Sequence, residues 1–219
     1  MSERLSPQQL RSPNARRLVI SIYDRTGNWA KPYANAGYAV HLWDKEHEGC
    51  ILEHFDRLLR IIDAHIATGG GLWGILAAPP CTHFAGSGAR WWKTKDATPP
   101  EDGDTWNIID YAQAYALIIL HLVELYQPKF WSLENPIGRL ERLVPELRPH
   151  RKMTFDPRDY GDPYTKKTVL YGQFNCALPG QPTLFIFSDY IHNLPPTPDR
   201  AAKRSITPMG FAKAFYAAN

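Results

Sequence analysis

A chain of 219 residues that is 44% hydrophobic and 21% charged suits one globular domain whose core forms without staples. Its three cysteines, Cys50, Cys81 and Cys176, are an odd number with no C-x-x-C pair, which excludes a disulfide framework and a zinc ribbon and points to a reducing compartment. A formal net charge of +3 permits a polyanionic partner without requiring one.

No apolar h-region follows Met1, so no secretory signal is read and a cytoplasmic protein is expected. Residues 1–17, rich in Ser, Pro, Gln and Arg without apolar period, read as a flexible arm. Leu18–Tyr23 is β-branched and apolar, a first strand; the turn Asp24-Arg25-Thr26-Gly27-Asn28 and a helix to Ala36-Gly37 follow. A second strand, Tyr38–Trp43, closes on Asp44. An acid there is where nucleotide-binding sheets hold a ribose diol, although acids at strand ends are also common turn residues. The loop after the first strand has one glycine and no G-x-G-x-x-G, which argues against a pyrophosphate cofactor and leaves room for an adenosine without phosphates.

Apolar residues at Ile51, Leu52, Phe55, Leu58, Leu59, Ile62 and Ile66 predict a helix that Gly69-Gly70-Gly71 stops. The run from Gly74 to Ala78 then meets Pro79 and Pro80, which lack N–H groups and halt a buried strand. Cys81 therefore stands at a strand's carboxyl end, the ligand-binding edge of an open α/β sheet, as a candidate nucleophile or else a buried turn cysteine. His83 lies close enough to influence a thiolate or to stabilise the turn. Ala85–Lys93 is small and flexible, then aromatic and cationic through Arg90, Trp91 and Trp92, a loop able to close over a ligand or to pack as a lid on the protein itself. Thr98–Asp104 reads as a surface linker capping a helix that begins near Thr105. That apolar helix, broken by Gln113, His121 and Glu124, reads as a core helix and not a bilayer span.

After Pro128, Lys129–Leu133 predicts a strand ending in Glu134-Asn135-Pro136, placing Glu134 on the same edge as Cys81, one strand over, or in an exposed turn. Arg148, His150, Arg151, Lys152 and Arg158 make a cationic patch. Val169-Leu170-Tyr171 belongs to a final antiparallel pair, before which Lys166 and Lys167 point to opposite faces, so at most one enters a site. Thr183–Phe187 predicts another strand, and Thr207 a cap for the last helix, Pro208–Ala218.

Pro79-Pro80-Cys81 with His83-Phe84, then Glu134-Asn135-Pro136, then Gly161-x-Pro163 before a strand, resemble in order and sheet position the motifs of DNA cytosine-5 methyltransferases, and almost end to end the compact phage and prophage members. The resemblance implies a Rossmann-like, S-adenosylmethionine-dependent α/β fold: a mixed, mostly parallel sheet, helices on both faces and a late antiparallel strand. It implies a catalytic core at 18–172, a reduced target-recognition segment at 173–203 and a returning helix at 204–219. Cys81 matches the nucleophile and Glu134 the acid that contacts cytosine N3 and its exocyclic amine. Tyr23, Asp24, Gly27, Asp44 and Pro79 match the methyl-donor site. Pro80, His83, Asn135, Pro136, Lys166 and Thr168 match the base site, with Arg90 and Trp91 filling the gap of a flipped base or stacking on a single strand. The implied partner is duplex or single-stranded DNA, with no metal, no membrane and room for a partner protein that supplies sequence specificity.

Several positions depart from the family. Arg25 stands where a glycine is expected, Thr82 and Ala85 replace Gln and Ser, and Lys166 and Thr168 replace two arginines. Arg204-Ser205-Ile206-Thr207 is similar to the late Arg-x-Leu-Thr motif. The short recognition segment makes sequence choice short, relaxed or borrowed. It leaves open methylation of a free pyrimidine nucleotide or RNA, and the loop at Arg25 a DNA-binding relative without catalysis.

Overall fold

The computed structural model describes residues 12–101, 104–181, 183, 191 and 193–219. Six strands form one sheet: β1 (Arg17–Ile22), β2 (Ala39–Trp43), β3 (Gly71–Ala77), β4 (Phe130–Pro136), β5 (Arg151–Phe155) and β6 (Thr168–Gln173). Their order is β2-β1-β3-β4-β6-β5. The first four run parallel, and β6 is antiparallel to both neighbours, β4 and β5. This is the mixed, mostly parallel Rossmann-like sheet with one late reversed strand that the sequence leads one to expect.

Helices cover both faces, which is why β1, β3 and β4 are buried along most of their length and why β1 and β3 carry long apolar runs. Successive side chains still divide between two cores. Ile20, Ile22, Ile75, Ala77, Trp131 and Leu133 pack under α3 (Phe55–Ala67) and α5 (Ile108–Tyr126). Val19, Leu76, Phe130 and Leu170 pack under α1 (Lys31–Asn35) and α8 (Met209–Ala218), where Trp29, Tyr33, Phe211 and Phe215 are fully buried. Because β2 and β3 flank β1 on opposite sides, the chain reverses its direction of travel at β1, and a crevice opens there at the strands' carboxyl ends.

Among the described residues α5 alone is long and apolar enough to cross a membrane. It lies on the sheet through Ile109, Ala112, Ala116, Ile119 and Leu122, at helical spacing. Asn107, not the upstream linker, caps it: the Asn107 side chain accepts from the N–H groups of Ile109 and Asp110, and Asp110 returns a bond to Asn107 N.

Other boundaries differ from the sequence reading. Ile51 and Leu52 lie in turns before α3. β4 continues through Glu134, Asn135 and Pro136, which pair with Leu170, Val169 and Thr168, so the acid stands within the strand and not in a turn. Part of the cationic patch is strand β5, whose Arg151, Lys152 and Thr154 are exposed at the sheet's edge. Thr207 is buried and its carbonyl accepts from Asn28 Nδ2, while extended Pro208 precedes α8 without a side-chain cap. Residues 1–11 of the arm, and 184–187 of the strand expected at Thr183–Phe187, lie outside the described residues. The arm's described end is docked, with Asn14 Nδ2 donating to the Ala36 carbonyl.

Candidate active site

β3 ends because Pro79 and Pro80 cannot extend it, and the chain turns at once: the N–H groups of Phe84 and Ala85 donate to the Cys81 carbonyl at 3.0 and 2.9 Å. Phe84 is fully buried and anchors the turn, leaving Cys81 partly buried at the strand's tip. Burial pushes the Cys81 thiol up; the charges of Lys166 and Arg204 pull it down, and that of Glu134 opposes them.

Glu134 occupies the adjacent strand tip with its side chain 8% exposed, and Lys166 Nζ, on a side chain 12% exposed, lies 3.6 Å from its Oε1. Lys167 is exposed, so a single lysine of the pair enters the site. Thr168 does not face it: its hydroxyl donates to the Lys166 carbonyl, holding the backbone from which that lysine projects. Asn135 is fully buried and donates through Nδ2 to the Pro79 carbonyl at 3.3 Å, while its Oδ1 finds no partner among the described residues. Pro136 ends β4 opposite Thr168.

The loops after β3 and β4 are joined beyond these residues. Gly86 N donates to the Ile137 carbonyl, Arg139 N donates to the Phe84 carbonyl, and Ala85 bridges Gly138. A Cβ on Gly138 would lie 1.8 Å from the Phe84 carbonyl oxygen, so only glycine permits this approach. Burial first, and then the charges of Lys95 and Arg139, lower the His83 pKa, which disfavours its charged form. Arg90 stacks over Trp91 at 5.3 Å, and Trp91 is 54% exposed, free to meet a ligand. Trp92 instead lies beneath the guanidinium groups of Arg139 and Arg142. Two contributors had no sequence signal: Lys95, whose Nζ donates to the Thr82 carbonyl at 2.7 Å, and Arg139.

The expected donor residues divide. Tyr23 adopts φ 63°, and its hydroxyl donates to the Tyr115 carbonyl at 3.0 Å beside the Tyr115 ring. Asp24 is buried and accepts from the Ser21 and Thr26 hydroxyls and Trp29 N; burial raises its pKa, and its carboxylate is engaged in shaping the loop. Gly27 takes φ +67°, which a side chain would disfavour. Arg25 turns outward to pair with Glu46 at 2.8 Å. Asp44 caps α2 (Lys45–Glu48) by accepting from Glu46 N through Oδ1. A cavity of about 50 Å³ lies between the tips of β1, β2 and β3, lined by Tyr23, Trp43, Cys50, Ile51, Pro80 and Tyr115. Pro80, expected at the base, thus lines this cavity, whereas Pro79, expected at the donor, is turned to Asn135.

S-Adenosylmethionine fits this corner in part. Apolar and aromatic walls suit an adenine edge, and Asp44 stands between Trp43 and Lys45 of the wall with Oδ2 outside its capping bond. A pocket for a whole drug-sized ligand spans roughly 300 Å³ or more, so this cavity by itself holds only part of such a ligand. A larger recess of about 290 Å³, lined by Lys129, Phe130, Gln173, Phe174, Ala218 and Asn219 among others, opens where β4 begins and β6 ends, the opposite edge from Cys81. Among the described residues no three His, Cys, Asp or Glu side chains are grouped to hold a metal.

No protein-family profile matches the chain, and no curated protein matches it. Among solved structures it is similar to a candidate DNA modification methyltransferase encoded within an Escherichia coli prophage, at 16% identity and a TM-score of 0.47, over 82% of this chain and 56% of that one. It is also similar to a release-factor-specific protein-(glutamine-N5) methyltransferase from Alicyclobacillus acidocaldarius, at 13% identity and a TM-score of 0.31, over 78% of this chain and 98% of that one. The chain therefore spans little more than half the length of the prophage protein.

Proposed function

We propose that this chain methylates C5 of cytosine in DNA, with Cys81 as nucleophile and S-adenosylmethionine as methyl donor. The observation that carries the reading is the convergence of Cys81 and Glu134 on neighbouring strand tips, locked by the bond from Asn135 to the Pro79 carbonyl. The bound donor would supply an electrophilic methyl group. Everything else falls to the chain. C5 of cytosine is a poor nucleophile, and a thiolate adding to C6 converts the ring into an enamine that can attack a methyl group. Cys81 forms that Sγ–C6 bond, and loss of the C5 proton with expulsion of the thiolate restores the aromatic ring.

Burial keeps the Cys81 thiol protonated at rest, so Lys166 and Arg204 are the groups that favour its thiolate. Glu134 would accept from the exocyclic amine and, when it carries a proton, donate it to N3, with Lys166 Nζ 3.6 Å from Oε1 to orient the group. Tyr23 and Asp44 orient the adenosine end, Gly27 keeps the loop beside it tight, and Asp24 shapes that loop. Trp91 and Arg90, exposed on the segment after Cys81, fill the stack that a flipped base leaves or stack on a single strand. Residues 173–203 serve as a short recognition segment, and a partner protein adds selectivity.

Transfer of label from tritiated donor to duplex DNA, single strands, RNA and dCMP tests substrate and chemistry together. DNA is the expected acceptor; labelling of RNA or dCMP alone would replace the DNA reading with one of the other acceptors. Cys81→Ala is expected to abolish transfer while calorimetry still records donor binding. Turnover retained in that variant would refute the nucleophile.

A further inference from the structure

Arg139 is 3% exposed, and a buried guanidinium is costly unless it is paired; among the described residues Nε and Nη1 find partners and Nη2 does not. Its partners come from the turn that presents the thiol and from the short helix that follows it. Nε donates to the His83 carbonyl at 2.8 Å, and its backbone N–H donates to the Phe84 carbonyl at 2.9 Å, both in the turn that presents Cys81. Nη1 donates to both carboxylate oxygens of Asp96, at 2.7 and 2.8 Å, at the end of α4 (Trp92–Asp96). Its guanidinium carbon lies 4.9 Å from the Trp92 ring centroid at the start of that helix. α4 is tied to the same turn a second time, by Lys95 on the Thr82 carbonyl. Arg139 itself follows Glu134 by five residues, on the loop leaving β4.

We propose that Arg139 is a positioning residue that fixes Cys81 relative to Glu134 by clamping the Cys81 turn, the loop after β4 and α4 into one unit. The assignment rests on the reading of Cys81 and Glu134 as the reacting pair. No shorter or simpler side chain does the same. A lysine ammonium is one point of charge and cannot reach the His83 carbonyl and the Asp96 carboxylate together, nor lie flat against Trp92. The clamp touches neither base nor donor and acts through where it holds the thiol.

Two variants test this, Arg139→Lys, which keeps the charge and loses the planar fork, and Asp96→Asn, whose side chain is 44% exposed and whose change leaves the core intact. Unfolding temperature is measured alongside iodoacetamide labelling of Cys81, located by peptide mass, and methyl transfer. In folded variants Cys81 labelling at fixed pH rises about tenfold, the change that one unit in thiol pKa produces as the turn loosens toward solvent. Methyl transfer moves the other way, with kcat falling about 100-fold and KM little changed, as a misplaced reacting group requires. A bare structural brace would instead raise labelling only in step with the fall in unfolding temperature and leave kcat per folded molecule unchanged. Folded variants that label and turn over like the parent overturn the proposal. Should Arg139→Lys fail to fold, Asp96→Asn carries the same test. Should the parent methylate none of the acceptors, the labelling arm still decides the clamp, and the functional reading fails separately.

Discussion

The Cys81 thiol is set by opposing influences that can be removed one at a time. Burial raises its pKa, Lys166 and Arg204 lower it, and Glu134 raises it again. Since thiolate is the form that reacts, Cys81 alkylation should climb with pH to a midpoint above that of an ordinary cysteine. Removing the ammonium in Lys166→Met should move that midpoint higher, and removing the carboxylate in Glu134→Gln should move it lower. Peptide-resolved alkylation across pH checks both directions at once, and a common direction would break the assignment of Lys166 and Glu134 to the thiol's surroundings. Glu134→Gln should also reduce methyl transfer far more than it lowers the unfolding temperature. At this scale the sequence is informative about Cys81 and Glu134 because the prolines beside them act locally, ending strands where they stand. Lys95 and Arg139 are silent there, since their roles depend on carbonyls that only the folded chain brings near. Asp24 misleads for a related reason: a carboxylate after a strand reads as a ligand group, but here local hydroxyls and an N–H engage it.

Two loops, not two isolated side chains, hold the tips carrying Cys81 and Glu134 together, and Gly138 and Phe84 are where they meet. The loop after β4 can approach the Phe84 carbonyl only because position 138 carries no Cβ. Gly138→Ala should therefore destabilise the fold by about 1–3 kcal/mol, the usual penalty of forced overpacking, and accelerate Cys81 alkylation. Phe84→Ala, which empties a fully buried site, should cost more, about 3–5 kcal/mol. Thermal unfolding of both variants measures the difference, and equal stability to the parent would contradict the loop account. Elements with two covered faces were legible because their apolar runs are nearly continuous, as in β1 and β3. β5 was not, because an edge strand with exposed Arg151, Lys152 and Thr154 shows the composition of a charged loop. The start of α5 was displaced for a similar reason: several polar residues precede it, and which of them caps depends on the partner at Asp110.

For the molecule as a whole, the strand order places Cys81, Glu134 and the small cavity beside Pro80 along one edge, with the larger recess at the other. A donor entering between Tyr23, Trp43 and Tyr115 would approach Cys81 through Pro80, the residue that lines the cavity and precedes the thiol. If the chain acts as proposed, the chemistry of the base itself offers the cleanest test. Replacing hydrogen by fluorine at C5 of the target cytosine blocks the final release step, since fluorine cannot leave as a proton does. Incubation of this DNA with the protein and S-adenosylmethionine, followed by denaturation and peptide mass spectrometry, should yield a covalent adduct on Cys81 that the Cys81→Ala variant lacks. Methyl transfer to unmodified DNA with no adduct on the fluorinated strand, or an adduct on Cys50 or Cys176 in place of Cys81, would contradict the account.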